Sequence, residues 1–151
     1  MSRKFIELSS TFFYIGKFPF APGTLASFVG ALIAIIFFHQ PFVYILLTIA
    51  VTVLGFCVCG QMEKIVKEKD PSCVVIDEVA GIMISLFALP LTTPIIVVTF
   101  FLFRAFDMFK IYPVNKLEEM NGAAGIMTDD LVAGIYTNFI MQVAIRWAGI
   151  S

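Results

Sequence analysis

Apolar and polar positions alternate along this chain in long blocks, and the apolar blocks have the lengths of membrane-crossing helices. Five apolar segments can be drawn, at residues 22–38, 42–60, 72–89, 94–112 and 129–148. A helix that crosses the hydrocarbon of a bilayer needs about 20 mostly apolar residues. The pattern therefore predicts an all-α fold, a polytopic membrane helical bundle with about five transmembrane helices.

The third and fourth segments are separated by a turn signal rather than by charge. Residues 79–103 carry no charged side chain and could form one span. However, residues 89–94 read Leu-Pro-Leu-Thr-Thr-Pro, which includes two helix breakers. We therefore predict two helices that form a short hairpin around residues 90–94.

The distribution of charge supports the hairpin. With the N-terminus in the cytosol, the hairpin topology places nine lysines and arginines on the cytosolic side and Arg146 alone outside. A single span over residues 79–103 would place seven lysines and arginines on the cytosolic side and three outside. Because positively charged loops tend to stay in the cytosol, the hairpin topology is favoured. It also places all 11 carboxylates on the cytosolic side.

The residues before the first segment predict a short N-terminal helix. Phe5, Ile6 and Leu8 could form one apolar face of a helix that lies in the membrane interface. A first helix packed on the rest of the bundle is an equal alternative.

Composition indicates the same class of protein. The 151 residues suffice for one domain, residues 1–151. Hydrophobic residues make up 60%, charged residues make up 14%, and the mean hydropathy is +0.96. Soluble domains carry about 25% charge, so these values are typical of integral membrane proteins. The net charge of −1 and the lack of a basic stripe argue against a nucleic-acid partner.

Carboxylates occur in pairs at the ends of two apolar segments. Asp77-Glu78 begins the third segment, and Asp129-Asp130 begins the fifth. A glycine lies one helical turn beyond each pair, namely Gly81 and Gly134. An ionisable group beside hydrocarbon is costly and usually functional, and glycine lets another helix approach closely. Compensation of the helix dipole explains one acid per helix better than two. The pattern predicts a cation site shared by both helices.

A third charged cluster ends the fourth segment. Arg104, Asp107 and Lys110 are spaced by three, so they lie within about 120° of one another on a helix. Arg104 is suited to bidentate phosphate binding. Asp107 could bind metal or orient Arg104. Lys110 could bind phosphate or extend to the membrane interface.

The start of the first segment could contribute to an anion site. The hydroxyls of Thr24 and Ser27, with the free N–H groups of the first helical turn, would face an anion at the cytosolic surface. Ordinary helix capping is the alternative.

The missing residue types narrow the chemistry. The single histidine, His39, falls in an outer loop, which argues against a histidine nucleophile or a Ser-His triad. No cysteine has an arginine six positions later, and no D-x-D-x-T/V motif occurs. Metal-assisted attack by water remains, and carboxylate ligands suit Mg²⁺.

Taken together, these motifs resemble the bacterial phosphatidylglycerophosphatase A family. The matching pieces are Pro22-Gly23-Thr24 with Ser27, Asp77-Glu78-x-x-Gly81, Phe103-Arg104-x-x-Asp107-x-x-Lys110 with Pro113, and Gly125-Ile126-Met127-x-Asp129-Asp130-x-x-Ala133-Gly134. Each piece alone is weak, but four in order are specific, and the resemblance covers about residues 11–148.

The resemblance implies a Mg²⁺-dependent, multi-pass enzyme of the bacterial inner membrane whose active site faces the cytosol. It would hydrolyse phosphatidylglycerol phosphate to phosphatidylglycerol and inorganic phosphate. The family's functional residues carry over to Asp77, Glu78, Arg104, Asp107, Asp129 and Asp130. Our hypothesis assigns metal binding to the two acid pairs, and substrate contacts to Arg104, Lys110, Thr24 and Ser27.

Three alternatives remain at this point. A transporter with a cytosolic acidic ion site would also place acids beside the membrane, although the outer face offers no ionisable partner for a path. A non-enzymatic membrane scaffold would tolerate acid-to-amide changes. A CDP-alcohol phosphotransferase also uses carboxylates and metal, but its D-G-x-x-A-R opening is absent.

Overall fold

A computed structural model describes residues 1–109, 112 and 120–149, and the regular secondary structure of these residues is helical. The six α-helices are α1 (Arg3–Ser10), α2 (Pro22–Ile36), α3 (Pro41–Val66), α4 (Ile76–Leu86), α5 (Thr93–Phe109) and α6 (Ala123–Trp147). A short 3₁₀ turn at Ile15–Lys17 joins α1 to α2. No strand occurs within the described ranges, so the all-α prediction is confirmed.

Prolines mark where several helices begin. Pro22 and Pro41 occupy the first turns of α2 and α3, where the missing N–H group costs nothing. The predicted turn between the third and fourth segments is also present. Ala88 adopts a left-handed conformation with φ of 55°, and the Thr92 N–H donates to the Pro90 carbonyl at 2.8 Å. The chain therefore reverses at the predicted place.

Helix α4 lies in the core of the bundle. It packs against α2, α3, α5 and α6, and nine of its 11 residues are buried. At 1.5 Å per residue it is roughly 16 Å long, about half the thickness of the hydrocarbon core. The third apolar segment, predicted as a span over residues 72–89, therefore forms a shorter helix. Its flanking residues Val74, Val75 and Leu89 are apolar because they are buried against protein.

Only α3, among the described residues, is long and apolar enough to cross a membrane by length and composition. Just 22% of its most apolar 18-residue stretch is buried, so most of that stretch is partly or fully exposed. The prediction of five spans is not confirmed by this criterion. Helix α6 has 25 residues, but Asp129, Asp130 and Arg146 interrupt its apolar character.

Two glycines bring α4 and α6 into backbone contact. A Cβ atom on Gly134 would lie 2.5 Å from the carbonyl oxygen of Gly81. A Cβ atom on Gly81 would lie 2.9 Å from the carbonyl oxygen of Asp130. The predicted close approach is therefore confirmed, and it occurs next to the acids.

The C-terminal end of α4 is satisfied by side chains of its neighbours. The Asn138 amide donates to the carbonyls of Ser85 at 3.0 Å and Phe87 at 2.7 Å. Gln142 donates to the Ala88 carbonyl at 3.1 Å. A helix that ends among apolar side chains needs such partners for its last carbonyls.

Helix α1 packs on α3 through the buried Ile6, which agrees with the packed-helix alternative. Glu7 forms an ion pair with Lys17 on the 3₁₀ turn. The hydrogen bond from Lys17 holds the pKa of the Glu7 carboxyl below its usual value. This contact ties the N-terminal helix to the chain just before α2.

The outward faces of the helices expose many large apolar side chains. Examples are Phe28 and Ile36 on α2, Phe42 and Leu46 on α3, Val98 and Phe101 on α5, and Phe139 and Trp147 on α6. Extended apolar surface of this kind marks contact with a membrane or with another protein.

Candidate active site

Three carboxylates meet where α4 and α6 cross. Asp77 and Glu78 lie in the first turn of α4, and Asp130 lies two turns into α6. One oxygen atom from each residue lies within 4.8 Å of the other two. The contact between Gly81 and Gly134 explains this geometry, because it sets the two backbones together one turn further along each helix.

The cluster is buried and short of hydrogen-bond donors. Asp77 and Asp130 are 6% and 3% exposed. Asp77 Oδ1 and Glu78 Oε2 are buried without a hydrogen-bond partner. Buried carboxylates without partners are costly, and three together also repel one another. A bound cation would offset both effects, and an all-oxygen ligand set fits a hard divalent ion such as Mg²⁺.

Asp129 lies beside the three-carboxylate cluster and has a different local contact. Its Oδ1 atom accepts a hydrogen bond from the Asp130 N–H at 2.9 Å. The side chain is buried and lines the same cavity as the cluster. The structure thus brings both predicted acid pairs to one cavity, with Asp129 outside the tightest group.

Arg104 and Asp107 lie on the face of α5 that borders this cavity. They form an ion pair, and each side chain is only 15% exposed. The Arg104 Nε atom is buried without a partner. Of the two options for Asp107, the observed contact is the one that orients Arg104. Lys110 lies outside the described residues.

The cavity has a volume of about 410 Å³ and is strongly acidic. Arg104 is the single cationic side chain among the described residues that line it. Six carboxylates also line it, those of Asp70, Asp77, Glu78, Asp107, Asp129 and Asp130. An anionic substrate could enter such a site only if a cation offset part of this charge.

The N-terminus of α2 forms another part of the wall. Gly23 and Thr24 line the cavity in the first turn, where backbone N–H groups have no intrahelical acceptor. A Cβ atom on Gly23 would collide with the Glu78 carboxylate, so a larger residue here would displace that side chain. This end of α2 suits an anion.

Thr24 and Ser27 were both predicted to face an anion, but they have different surroundings in the structure. Thr24 is exposed and lines the cavity. Ser27 is buried one turn further along, and its hydroxyl donates to the Gly23 carbonyl at 2.9 Å. Ser27 therefore faces the helix interior and does not line the described cavity.

Sequence analysis missed Asp70 and Ser72, which line the cavity from the loop between α3 and α4. The sequence contains one weak indication of these two residues. Asp70-Pro71-Ser72 is a turn sequence that lies only a few residues before the first acid pair.

A larger cleft of about 660 Å³ lies between α3, α6 and the C-terminal end of α4. Apolar side chains dominate its lining, and no carboxylate contributes to it. The smaller acidic cavity is therefore the candidate active site, because it alone of the two holds groups for metal and phosphate chemistry.

Comparison with known proteins assigns the family. The family model described as Phosphatidylglycerophosphatase A matches residues 8–145, which include every described side chain of the acidic cavity. The chain belongs to the phosphatidylglycerophosphatase A family. The resemblance found in the sequence motifs is thus confirmed.

Curated relatives agree with this membership. Phosphatidylglycerophosphatase A of Haemophilus influenzae is 31% identical over 94% of this chain and 90% of its own length. Phosphatidylglycerophosphatase A of Escherichia coli is 35% identical over 83% of this chain and 75% of its own. A Bacteroides thetaiotaomicron protein, named provisionally as a phosphatidylinositol-3-phosphatase, is 38% identical over 93% of this chain and 92% of its own length. No solved structure matches the chain.

Membership in the phosphatidylglycerophosphatase A family makes this chain a phosphatase. It therefore favours an enzyme over the transporter and scaffold alternatives. The acidic cavity, with its clustered carboxylates and its oriented arginine, is the part of the described structure that suits phosphate-ester hydrolysis.

Proposed function

We propose that this chain hydrolyses phosphatidylglycerol phosphate to phosphatidylglycerol and inorganic phosphate. The observation that carries the proposal is the meeting of Asp77, Glu78, Asp130 and Arg104 in one cavity of a phosphatidylglycerophosphatase A family member. The names of two curated relatives support the same substrate.

Magnesium is the proposed cofactor. Asp77, Glu78 and Asp130 would hold the ion, and Asp129 would complete or support this set. When bound, the ion supplies positive charge and an activated water molecule. Carboxylate oxygens are suitable ligands, and the unpartnered oxygens of Asp77 and Glu78 support the assignment.

The protein's own groups bind and orient the phosphomonoester. Arg104, held by Asp107, donates hydrogen bonds to the phosphate oxygens. The free amides at the start of α2 and the Thr24 hydroxyl donate from beside Arg104, since a Cβ atom on Gly23 would lie 3.6 Å from Arg104 Nη1. One carboxylate of the cluster accepts the proton of the attacking water. Catalysis comes mainly from positioning and from stabilisation of negative charge.

The chain is proposed to be a multi-pass protein of the bacterial inner membrane. The exposed apolar faces of α2, α3, α5 and α6 would contact lipid, with α4 enclosed among them. The hydrogen bonds of Asn138 and Gln142 support an α4 end within the apolar layer. The lysines and arginines before α2 and after α3, at the same helix ends as the acidic cavity, support a cytosolic active site.

The test is release of phosphate by the purified protein from phosphatidylglycerol phosphate in detergent micelles. We expect release with Mg²⁺ and none with EDTA, and restoration when Mg²⁺ is returned. No release from folded protein in any of these conditions would contradict the proposed function.

A further inference from the structure

The cleft between α3 and α6 lies at the end of the bundle away from the acidic cavity. Its volume is about 660 Å³. It follows α6 from Ile135 to Arg146, which is roughly 16 Å at 1.5 Å per residue. Several of its lining side chains, such as Ile49 and Phe139, are exposed, so the cleft is open to the side. Its length and apolar lining suit an extended hydrocarbon chain.

The cleft exists because α4 is short. At the cavity end, α3 and α6 touch, since a Cβ atom on Gly60 would lie 3.0 Å from the Ala123 nitrogen. The Asn138 side chain donates to carbonyls at the end of α4, so α4 stops at this level of α6. Helix α6 continues to Trp147. Beyond the end of α4, the space between α3 and α6 is therefore left as the cleft.

Water is a poor occupant of this space. Asn138 and Gln142 already donate to carbonyls around the end of α4, and the Thr48 hydroxyl donates to a carbonyl of its own helix. A buried water molecule needs several polar partners, whereas most of the lining is apolar. An empty cleft would lose dispersion contacts along both walls. In the proposed membrane, an acyl chain would supply those contacts.

A cation marks one end of the cleft. Arg146 is exposed, and it is the cationic side chain among the described lining residues. Within the described ranges, no acidic side chain forms an ion pair with it. The nearest acid on the same helix, Asp130, lies roughly 24 Å further along the axis. A guanidinium group suits a phosphate oxygen, so the charge at this end favours an anionic headgroup.

We propose that the cleft binds an anionic diacyl phospholipid from the leaflet away from the acidic cavity. Its phosphate would contact Arg146, and one acyl chain would follow α6 towards Ile135. The lipid would fill the space that α4 leaves between α3 and α6. This site is separate from the proposed active site. The inference uses the proposed membrane location but not the phosphatase reaction.

The test measures thermal unfolding of the purified protein in detergent during titration with dioleoyl phosphatidylglycerol or dioleoyl phosphatidylcholine. The two lipids share their acyl chains and differ in net charge. The dependence of the unfolding temperature on lipid gives the apparent affinity. Arg146→Gln removes the cation, and Ile135→Trp fills the other end of the cleft. Arg3→Gln and Val98→Trp are the matched controls, because they change exposed residues outside the cleft.

We expect the unaltered protein to bind phosphatidylglycerol at least about tenfold more tightly than phosphatidylcholine, because Arg146 adds a charge-assisted contact. Arg146→Gln should lower the affinity for phosphatidylglycerol to about that for phosphatidylcholine, and should leave the latter unchanged. Ile135→Trp should lower the affinity for both lipids, because it occupies the room for the chain. Both controls should bind like the unaltered protein.

Several results would overturn the inference. Equal affinity for the two lipids in the unaltered protein, or an unchanged preference in Arg146→Gln, would exclude an anionic headgroup at this cleft. Unchanged affinity for both lipids in Ile135→Trp would place the acyl chain elsewhere. No stabilisation by either lipid would leave the cleft without a lipid, and conversion of a dimer to monomers by Ile135→Trp would then make a second copy the occupant.

The comparison of the two lipids on the unaltered protein decides the first point even if a variant does not fold. None of these measurements involves turnover or metal. A failure of the lipid site is therefore distinguishable from a failure of the proposed phosphatase function, which is tested by phosphate release.

Discussion

At the scale of single residues, the three-carboxylate cluster makes Asp130 a sensitive position for activity. Asp130→Asn replaces a metal ligand by a weaker neutral one, so we expect kcat to fall at least about 100-fold. The fold should survive, because the change removes one of three mutually repelling buried charges. Phosphate release and the thermal unfolding temperature in detergent measure the two effects.

Binding of Mg²⁺ gives the Asp130 prediction a second readout. A ligand that binds only the folded state stabilises it by about 2.7 kcal/mol at 100 times its dissociation constant. Mg²⁺ should therefore raise the unfolding temperature of the unaltered protein. It should do the same for the control variant Glu68→Gln, which changes an exposed carboxylate outside the cavity. The rise should be much smaller for Asp130→Asn. Unchanged activity and an unchanged Mg²⁺ effect in Asp130→Asn would remove this residue from the site.

Single residues also show how far sequence reasoning reaches. The acid pairs were predictable, because doubled carboxylates beside hydrocarbon have few structural explanations. Asp70 was not predictable, since one acid in a polar loop carries no such signal. Ser27 was predicted with Thr24 to face an anion, but it does not line the described cavity. The two residues are near one another in sequence, and the sequence does not fix which helix face borders a cavity.

At the scale of helices, the contact between α4 and α6 sets the spacing of the acids. Gly134→Ala would place a methyl group 2.5 Å from the Gly81 carbonyl oxygen, and a backbone carbonyl cannot move cheaply. We expect a loss of about 1–3 kcal/mol in unfolding free energy, with a loss of activity as the carboxylates separate. Denaturant unfolding and phosphate release would measure both.

Ala144→Val is the control for this substitution, since it adds volume to an exposed position of the same helix. It should change stability and activity little. Full activity and stability in Gly134→Ala would mean that the two helices can separate without disturbing the site.

The C-terminal end of α4 gives a prediction in which a substitution changes the stability of the fold but has little effect on catalysis. Asn138→Leu removes the donor to the carbonyls of Ser85 and Phe87, far from the acidic cavity. We expect a loss of about 1–3 kcal/mol in unfolding free energy. At a temperature where the variant is folded, kcat should be nearly unchanged. A large fall in kcat with normal stability would contradict this separation.

Helix α4 also shows why the all-helical fold is confirmed while the prediction of five spans is not. Prolines and apolar blocks located the helices, because these features act within a few residues of the chain. Hydropathy does not distinguish a side chain buried in protein from one that faces lipid. Val74, Val75 and Leu89 extended the third apolar segment beyond a helix of 11 residues.

At the scale of the whole molecule, chemistry and apolar surface are separated along the bundle. The acids, Arg104 and the N-termini of α2 and α4 gather at one end. The remaining length of the helices exposes large apolar side chains. A lipid substrate fits this arrangement, since its headgroup could enter the acidic cavity while its acyl chains stay beside the helices in the bilayer.

The separation of the acidic cavity from the apolar surface leads to a prediction about how the chain is oriented in the membrane. His39 lies between α2 and α3, at the end away from the cavity, and Glu68 lies in the loop that follows α3. If the active site faces the cytosol, these two positions are on opposite sides of the inner membrane. Single-cysteine variants His39→Cys and Glu68→Cys, made without the three native cysteines, would report on which side of the membrane each position lies.

A membrane-impermeant maleimide should label His39→Cys in right-side-out vesicles and Glu68→Cys in inside-out vesicles. Helix α3 is the segment between the two positions, and it is the helix with the length and composition to cross the bilayer. Labelling of both positions from the same side would mean that α3 does not cross the membrane. The excess of lysines and arginines before α2 and after α3 would then need another cause. Labelling with the sides reversed would keep the span but place phosphate release outside the cytosol, against the charge distribution that favours a cytosolic site.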